Sequence, residues 1–441
     1  MSSTEQQRAG AREPNVDAGG VAQQRPLIAL VVSLFFAWGF ATVLVDSLVP
    51  KLKGLFALSY TEVMLTQFSF FLGYLFFSIP AGLVLSRAGY MRSTVLGLVV
   101  MASGCLLFAP AAAIGSFSAF LFALFVMAAG ITLLQVVANP LIAGLGADAT
   151  SSSRLTLAQA FNSLGTTIGP WVGAAFIIGS GVALNAAGVA PAALDRLRRS
   201  EAHAVQLPFL AIAAVLVVVA AAFWMYRNAR TPPVSPQAAS LRELARLLRR
   251  PRLMLGTLAI FLYVGAEVSI GSVMTNYLMQ PSVLGLPAAR AGQHVSFYWG
   301  GAMIGRFVGA YVLRRAKPGY ALAACAVGAG LLAAASSLST GVVAAYALIA
   351  VGLFNSIMFP TIFALASEGL DEETPNGSAM LCMAIVGGAI VPLATGAIAD
   401  ARGLATALFV PVLCYVWVAI YGVLVARGLG ATGWGAQVAR T

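Results

Sequence analysis

Two carboxylates stand where carboxylates are expensive. Asp46 lies in LIALVVSLFFAWGFATVLVDSLVP, residues 27–50, and Glu267 in YVGAEVSIGS, residues 263–272. An acidic side chain near the centre of a membrane helix costs about 2.5–3.5 kcal/mol on insertion scales, so each is a functional candidate by default. The rest of the fifteen acidic residues fall in tails, loops or the ends of apolar stretches. The chemistry open to a carboxyl so placed is reversible protonation, with Asp46 the main candidate proton carrier.

Positions four apart share a helix face. Trp38, Thr42 and Asp46 form one stripe, Gln135 and Asn139 a second, Gln159, Asn162 and Thr166 a third, and Asn355 with Phe359 a fourth. Amides inside apolar helices must find partners, either in each other as helix-to-helix glue or in a wet cavity. Three polar stripes in one half of the chain, beside a carboxylate and a Trp, favour the cavity. The mixture suits a sugar, whose hydroxyls donate and accept hydrogen bonds and whose C–H faces pack on aromatic rings. No basic stripe faces this cavity, which argues against phosphorylated or dicarboxylate substrates. Arg306, in GRFVGAYVLRR, is expected to gate the inner end by pairing with an acidic or carbonyl group, Asp148 and Glu368 being candidates.

The elements that position these residues must be membrane helices. Hydrophobic residues make up 60% of the 441 and charged residues 9%, with mean hydropathy +0.89. Soluble domains run near a quarter charged. A span needs about 20 apolar residues. Twelve stretches qualify, near 27–50, 62–85, 93–111, 116–143, 155–180, 207–226, 253–280, 291–313, 319–337, 342–366, 376–399 and 405–427. The fold class expected is all-α, with twelve transmembrane helices in two six-helix bundles. The net charge of +11 does not point to nucleic acid. Most basic residues fall in tails and loops that are inner if both ends face the cytoplasm, the asymmetry of the positive-inside rule. No cleavable signal is read in the polar first 25 residues. Cys105, Cys325, Cys382 and Cys414 all fall within spans and read as small buried residues.

The organisation expected is a disordered cytoplasmic tail over 1–25, one bundle over 26–226, a cytoplasmic linker over 227–252, a second bundle over 253–427 and a tail over 428–441. The linker is Pro-rich and then amphipathic, with Leu241, Leu244, Leu247 and Leu248 against Arg242, Arg246, Arg249 and Arg250. That pattern fits a helix on an anionic lipid surface. The halves repeat faintly. Gly39 aligns with Gly265, which sets Ser272 opposite Asp46. Gln135 and Asn139 correspond to Asn355 and Phe359, and Gly165–Pro170 is echoed by Gly387–Pro392. Two repeats around a midplane site are the pattern of alternating-access transporters. If the seventh span mirrors the first, its cavity face is Val264, Val268, Ser272 and Asn276. Glu267 then lies about 100° off that face.

The strings WGFATVLVDSLVP (38–50), LLQVVANPLIAGLG (133–146), LAQAFNSLG (157–165), YVGAEVSIGS (263–272), GRFVG (305–309) and FPTIF (359–363) resemble the fucose–hexose–proton symporter family of the major facilitator superfamily, in its glucose/galactose branch. The resemblance covers nearly the whole chain beyond the N-terminal tail. It implies hexose uptake coupled to a cation, usually H⁺, with Na⁺ the alternative. In fucose-transporting members a first-helix Asp and a fourth-helix Glu carry coupling and recognition. Asp46 matches the first, while Gln135 stands at the second and cannot titrate. That departure makes fucose a poorer substrate expectation than another hexose. The loop GLVLSRAGYMR has Ser86 where the superfamily motif has Asp.

The expected function is therefore a secondary transporter importing a neutral hexose with H⁺. It would reside in a bacterial inner membrane, with no cofactor and no obligate protein partner. An exporter of sugars or drugs is the rival, since Gly165, Gly169, Pro170 and Gly173 resemble an antiporter signature. An enzyme is disfavoured because neither His203 nor His294 sits deep in a span beside a carboxylate.

Overall fold

The computed structural model describes residues 26–42, 60–114, 116–173, 191–229, 231 and 246–429. Asp46, the N-terminal tail, Leu241, Arg242 and Leu244 of the linker, the side chain of Pro170 and the last twelve residues lie outside the described residues. Within them every regular element is helical, as a bilayer demands when no water is present to satisfy backbone groups. Seven helical stretches are long and apolar enough to cross a membrane, and Pro26–Thr42 and Phe209–Met225 add shorter apolar helices.

Each of the twelve expected spans contains helix. The first is Pro26–Thr42, and the second and third share the stretch Tyr60–Ile114, which turns at Gly89. The fourth to ninth are Phe117–Gly144, Ser151–Gly173, Pro191–Met225, Pro251–Met279, Ala288–Val312 and Pro318–Leu338. The tenth runs through Gly341–Asn355 and Met358–Ser367, and the eleventh through Thr374–Met383 and Gly387–Arg402. The twelfth comprises Leu404–Ala407 and Phe409–Ala426. Gly89 has φ 74°, a conformation glycine adopts without the strain of a Cβ. The hydroxyls around this turn donate back to the end of the second span, Ser86 to the Leu83 carbonyl (2.9 Å) and Ser93 to that of Val84 (3.2 Å). At the next turn on this side, Arg154 caps the fourth span through the carbonyls of Ile142 and Ala143.

The two halves repeat in three dimensions. Gly39 of the first span lies against the Asn162 backbone of the fifth, and Gly165 of the fifth against the Phe36 carbonyl of the first. Gly265 of the seventh meets Val391 of the eleventh, and Gly387 of the eleventh the Phe261 carbonyl of the seventh. In both halves a Cβ would hold the helices apart, so close approach explains why these aligned positions are glycine.

The halves meet toward the end of the molecule that carries the linker. Ser153 donates to the Ala310 carbonyl, Ser378 to that of Val136 (2.7 Å), and Gly82 lies against Pro375 and Ala379. The Phe161 and Phe307 rings meet edge to face, with centroids 5.9 Å apart. The described part of the linker is held by charge. Arg246 pairs with Glu373 (3.1 Å), as does Arg250, and Arg252 pairs with Glu368. Arg250 also donates to the Gly369 carbonyl (2.9 Å). The linker arginines expected to face lipid are thus spent in part on the acidic turn between the tenth and eleventh spans. Leu247 is buried and Leu248 exposed.

Candidate functional site

Contacts sort the candidate residues into three groups rather than one ring. The first joins spans one and five. Trp38 is buried, its ring 5.0 Å from that of Phe35, and its carbonyl accepts from Thr42 (2.8 Å). Asn162 donates its amide N–H to the Phe35 carbonyl (2.9 Å). One turn away, Gln159 is buried, makes no hydrogen bond with any described residue, and has no amide atom sealed off. Its donor and acceptors are free for a ligand.

The second group lies on the fourth span. Gln135 donates to the Tyr74 hydroxyl of the second span (2.6 Å). Asn139 is fully buried with both amide atoms unpaired, beside the Cys382 thiol of the eleventh span. All four cysteines are free thiols.

The third group is in the second half. Asn355 is buried and donates to the Tyr298 hydroxyl (2.7 Å). Tyr298 donates to the Glu267 carbonyl (3.3 Å) and Tyr263 to the Asn355 carbonyl (3.0 Å). One Glu267 carboxyl oxygen, the Asn355 amide oxygen and the Tyr415 hydroxyl are sealed from solvent without a hydrogen-bond partner. Phe359 is buried, its ring tilted on Phe363 at 6.1 Å. Along the seventh span exposure rises from Val264, buried, through Val268 to Ser272 and Asn276, both exposed.

Arg306 ties the halves together. It donates to the Ser356 carbonyl of the tenth span (3.3 Å) and to the Ser163 hydroxyl of the fifth. The expectation of a carbonyl partner holds; that of Asp148 or Glu368 does not, since Glu368 is taken by Arg252 and the Arg306 side chain crosses to the other half instead. Ser163 belongs to a stripe that the amides overshadowed: Ser153, Thr156, Ser163 and Thr167 recur at helical spacing on the fifth span. Thr156 lies close to Gly309, and Thr167 reaches the Met303 sulfur (3.4 Å). A run of small hydroxyl residues on one face is the usual signature of closely packed membrane helices. The tyrosines at positions 74, 263 and 415 had no such signal, because an isolated Tyr in an apolar helix reads as packing. No group of residues able to hold a metal occurs among the described residues.

Twelve spans in two repeated halves, with polar side chains buried between helices and a carboxyl buried inside the second half, define a multi-pass membrane transporter rather than an enzyme. The Major Facilitator Superfamily model matches residues 27–392. A glucose/galactose transporter of Brucella abortus is 47% identical over 391 residues, 89% of this chain and 92% of that protein. The L-fucose-proton symporter of Escherichia coli is 33% identical over 430 residues, 96% of this chain and 98% of that one. The crystal structure of the E. coli fucose:proton symporter FucP superposes with a TM-score of 0.84 at 31% identity, over 91% of this chain and 99% of that chain. The chain belongs to the Major Facilitator Superfamily, in the fucose–hexose–proton symporter family and its glucose/galactose transporter branch.

Proposed function

We propose that this protein imports a neutral hexose of the glucose/galactose type by proton symport, through alternating access of a site between its two bundles. The observation that carries the reading is the Brucella relative, a glucose/galactose transporter matched across both halves at 47% identity. The E. coli relative, a proton symporter, supports the choice of ion. Trp38, Thr42, Gln135, Asn139 and Gln159 supply the sugar-binding side of the first half, with Asn162 bracing the first span beside them, and Ser272, Asn276, Asn355 and Phe359 supply that of the second. Asp46 carries the coupled proton, Glu267 supports the cycle, and Arg306 gates the linker end. The linker and both termini face the cytoplasm, with the protein in the inner membrane of a bacterium.

The test is uptake of labelled glucose and galactose into proteoliposomes, with the pH gradient and Na⁺ varied independently. Accumulation should follow the inward proton gradient and collapse with a protonophore, whether or not Na⁺ is present. Accumulation that tracks Na⁺ alone would overturn proton coupling. Failure of both sugars to accumulate would overturn the substrate.

A further inference from the structure

Arg306 is a membrane-embedded cation whose partners are neutral. Its guanidinium rests on the Ser163 hydroxyl and the Ser356 carbonyl, the first across the junction between bundles. Among the described residues, Glu267 is the carboxylate held well inside a span, and the Arg306 charge falls within electrostatic reach of it, as of Tyr263 and Tyr298. The two are not paired: one Glu267 oxygen is sealed and unpartnered. The groups that face this carboxyl offer it hydroxyls and amides but no paired cation. Tyr263, on its own helix, places its hydroxyl between the Asn355 carbonyl and the Glu267 carboxyl, and Tyr298 of the eighth span donates to the Glu267 backbone. Tyr415 of the twelfth span points its hydroxyl at Asn355. The facing stretch of the eleventh span, 387–395, carries no titratable side chain.

We infer that Ser163 is a docking point for a movable guanidinium: Arg306 rests on Ser163 and Ser356 while the bundles are closed at the linker end, and transfers to Glu267 when they part. The arrangement makes Ser163 a positioning residue. A guanidinium in a low-dielectric site gains far more from an ionised carboxylate than from a hydroxyl. What holds it on Ser163 is the closed junction itself, which brings the fifth and eighth spans together along the Ser153–Thr167 stripe. Opening removes Ser163 from reach. An ionised Glu267 then offers the better partner, whereas a protonated one offers only a neutral oxygen. Deprotonation of Glu267 therefore favours linker-end opening, and protonation favours closure. This switch rests on the alternating-access reading above but not on the identity of the sugar or of the coupled ion.

The native Cys382 reports on it. The thiol is buried beside Asn139 at the junction, so its reaction with a maleimide, followed peptide by peptide by mass spectrometry in the full-length protein, measures linker-end opening. Dividing each rate by that of Glu267→Gln at the same pH removes the thiol's own ionisation. For the wild type this ratio should rise with pH. Ser163→Ala should raise it by about tenfold at high pH, the effect of losing one hydrogen bond to a charged group. In the Ser163→Ala/Glu267→Gln double variant the increase should persist, because the closed-state bond is lost in either background, while the pH dependence should vanish. Arg306→Lys keeps the charge but cannot span Ser163 and Ser356 together, and should abolish the pH dependence. A ratio flat in pH for the wild type overturns the switch, as does Ser163→Ala labelling no faster than the wild type. If the labelling behaves as stated while proteoliposomes accumulate neither sugar, the substrate reading fails and the switch stands.

Discussion

Gln159 and Asn162 sit one turn apart on the fifth span, and the structure assigns them different work. Asn162 is bonded to the Phe35 carbonyl of the first span at 2.9 Å. That carbonyl keeps its place in the helix Pro26–Thr42, so truncation does not orphan it. Asn162→Ala should cost only the net value of one neutral hydrogen bond, about 0.5–1.5 kcal/mol, and should appear as lower thermal stability. Gln159 makes no such bond, so Gln159→Ala should leave the folded protein within about 0.5 kcal/mol of wild type. Its effect belongs to the ligand. A sugar hydroxyl left unpaired in a desolvated site costs about 1–3 kcal/mol, a ~5- to 150-fold rise in Kd. The assay is equilibrium binding of labelled glucose and galactose to purified protein, alongside tryptophan-monitored unfolding of the same samples. Wild-type affinity in Gln159→Ala would refute the assignment. So would a large affinity loss in Asn162→Ala with unchanged stability, which would make the bond to Phe35 a stand-in for sugar.

Asp46→Asn should abolish gradient-driven accumulation while sparing exchange of labelled for unlabelled sugar; concentrative uptake by this variant would remove Asp46 from the coupling role. Glu267→Gln keeps a donor and an acceptor at similar volume and should retain proton-driven accumulation at a reduced rate, whereas its loss, with exchange intact, would move the coupled proton to the second half. Gly387→Val places its Cβ on the Phe261 carbonyl and should sharply lower the yield of monodisperse protein, while Gly396→Val, with nothing within 4 Å of the added Cβ, should not; equal yields would mean that this helix contact is not tight. Glu373→Gln breaks the pairs with Arg246 and Arg250, whose side chains are 70% and 39% exposed. The loss should stay below about 1 kcal/mol and disappear in about 0.5 M salt, as read by thermal unfolding in low and high salt.

The spans were legible because a bilayer imposes one length and one composition on each of them, and the repeat because helix contact leaves little choice but glycine at 39, 165, 265 and 387. Contacts made by a side chain reaching sideways were not legible. Sequence spacing fixes a face, but Arg306 has several rotatable bonds and could satisfy its charge on either side of the junction. Only the fifth span's position selects Ser163. The amide stripes were read as one cavity because periodicity cannot tell an amide that faces a neighbouring backbone, such as Asn162, from one that faces open space, such as Gln159. The signal for the difference was present in the adjacent Ser153–Thr167 stripe, which marks the junction and so shows which way the fifth span is turned.

The ion pairs at the linker have a consequence for how the polypeptide can be divided. Arg246, Arg250 and Arg252 all anchor on the turn between spans ten and eleven, so each of these tethers begins and ends within the second half. Among the described residues, the hydrogen bonds that hold the halves to each other, Ser153 to Ala310, Ser378 to Val136 and Arg306 to Ser163, are made between helices. A backbone break between Pro233 and Arg242 would leave these three anchors on the C-terminal fragment and these three helix-to-helix bonds in place. Two separately expressed halves should therefore assemble in the membrane as a working pair, which makes this stretch the place to insert a protease site or a fluorescent reporter of the angle between them.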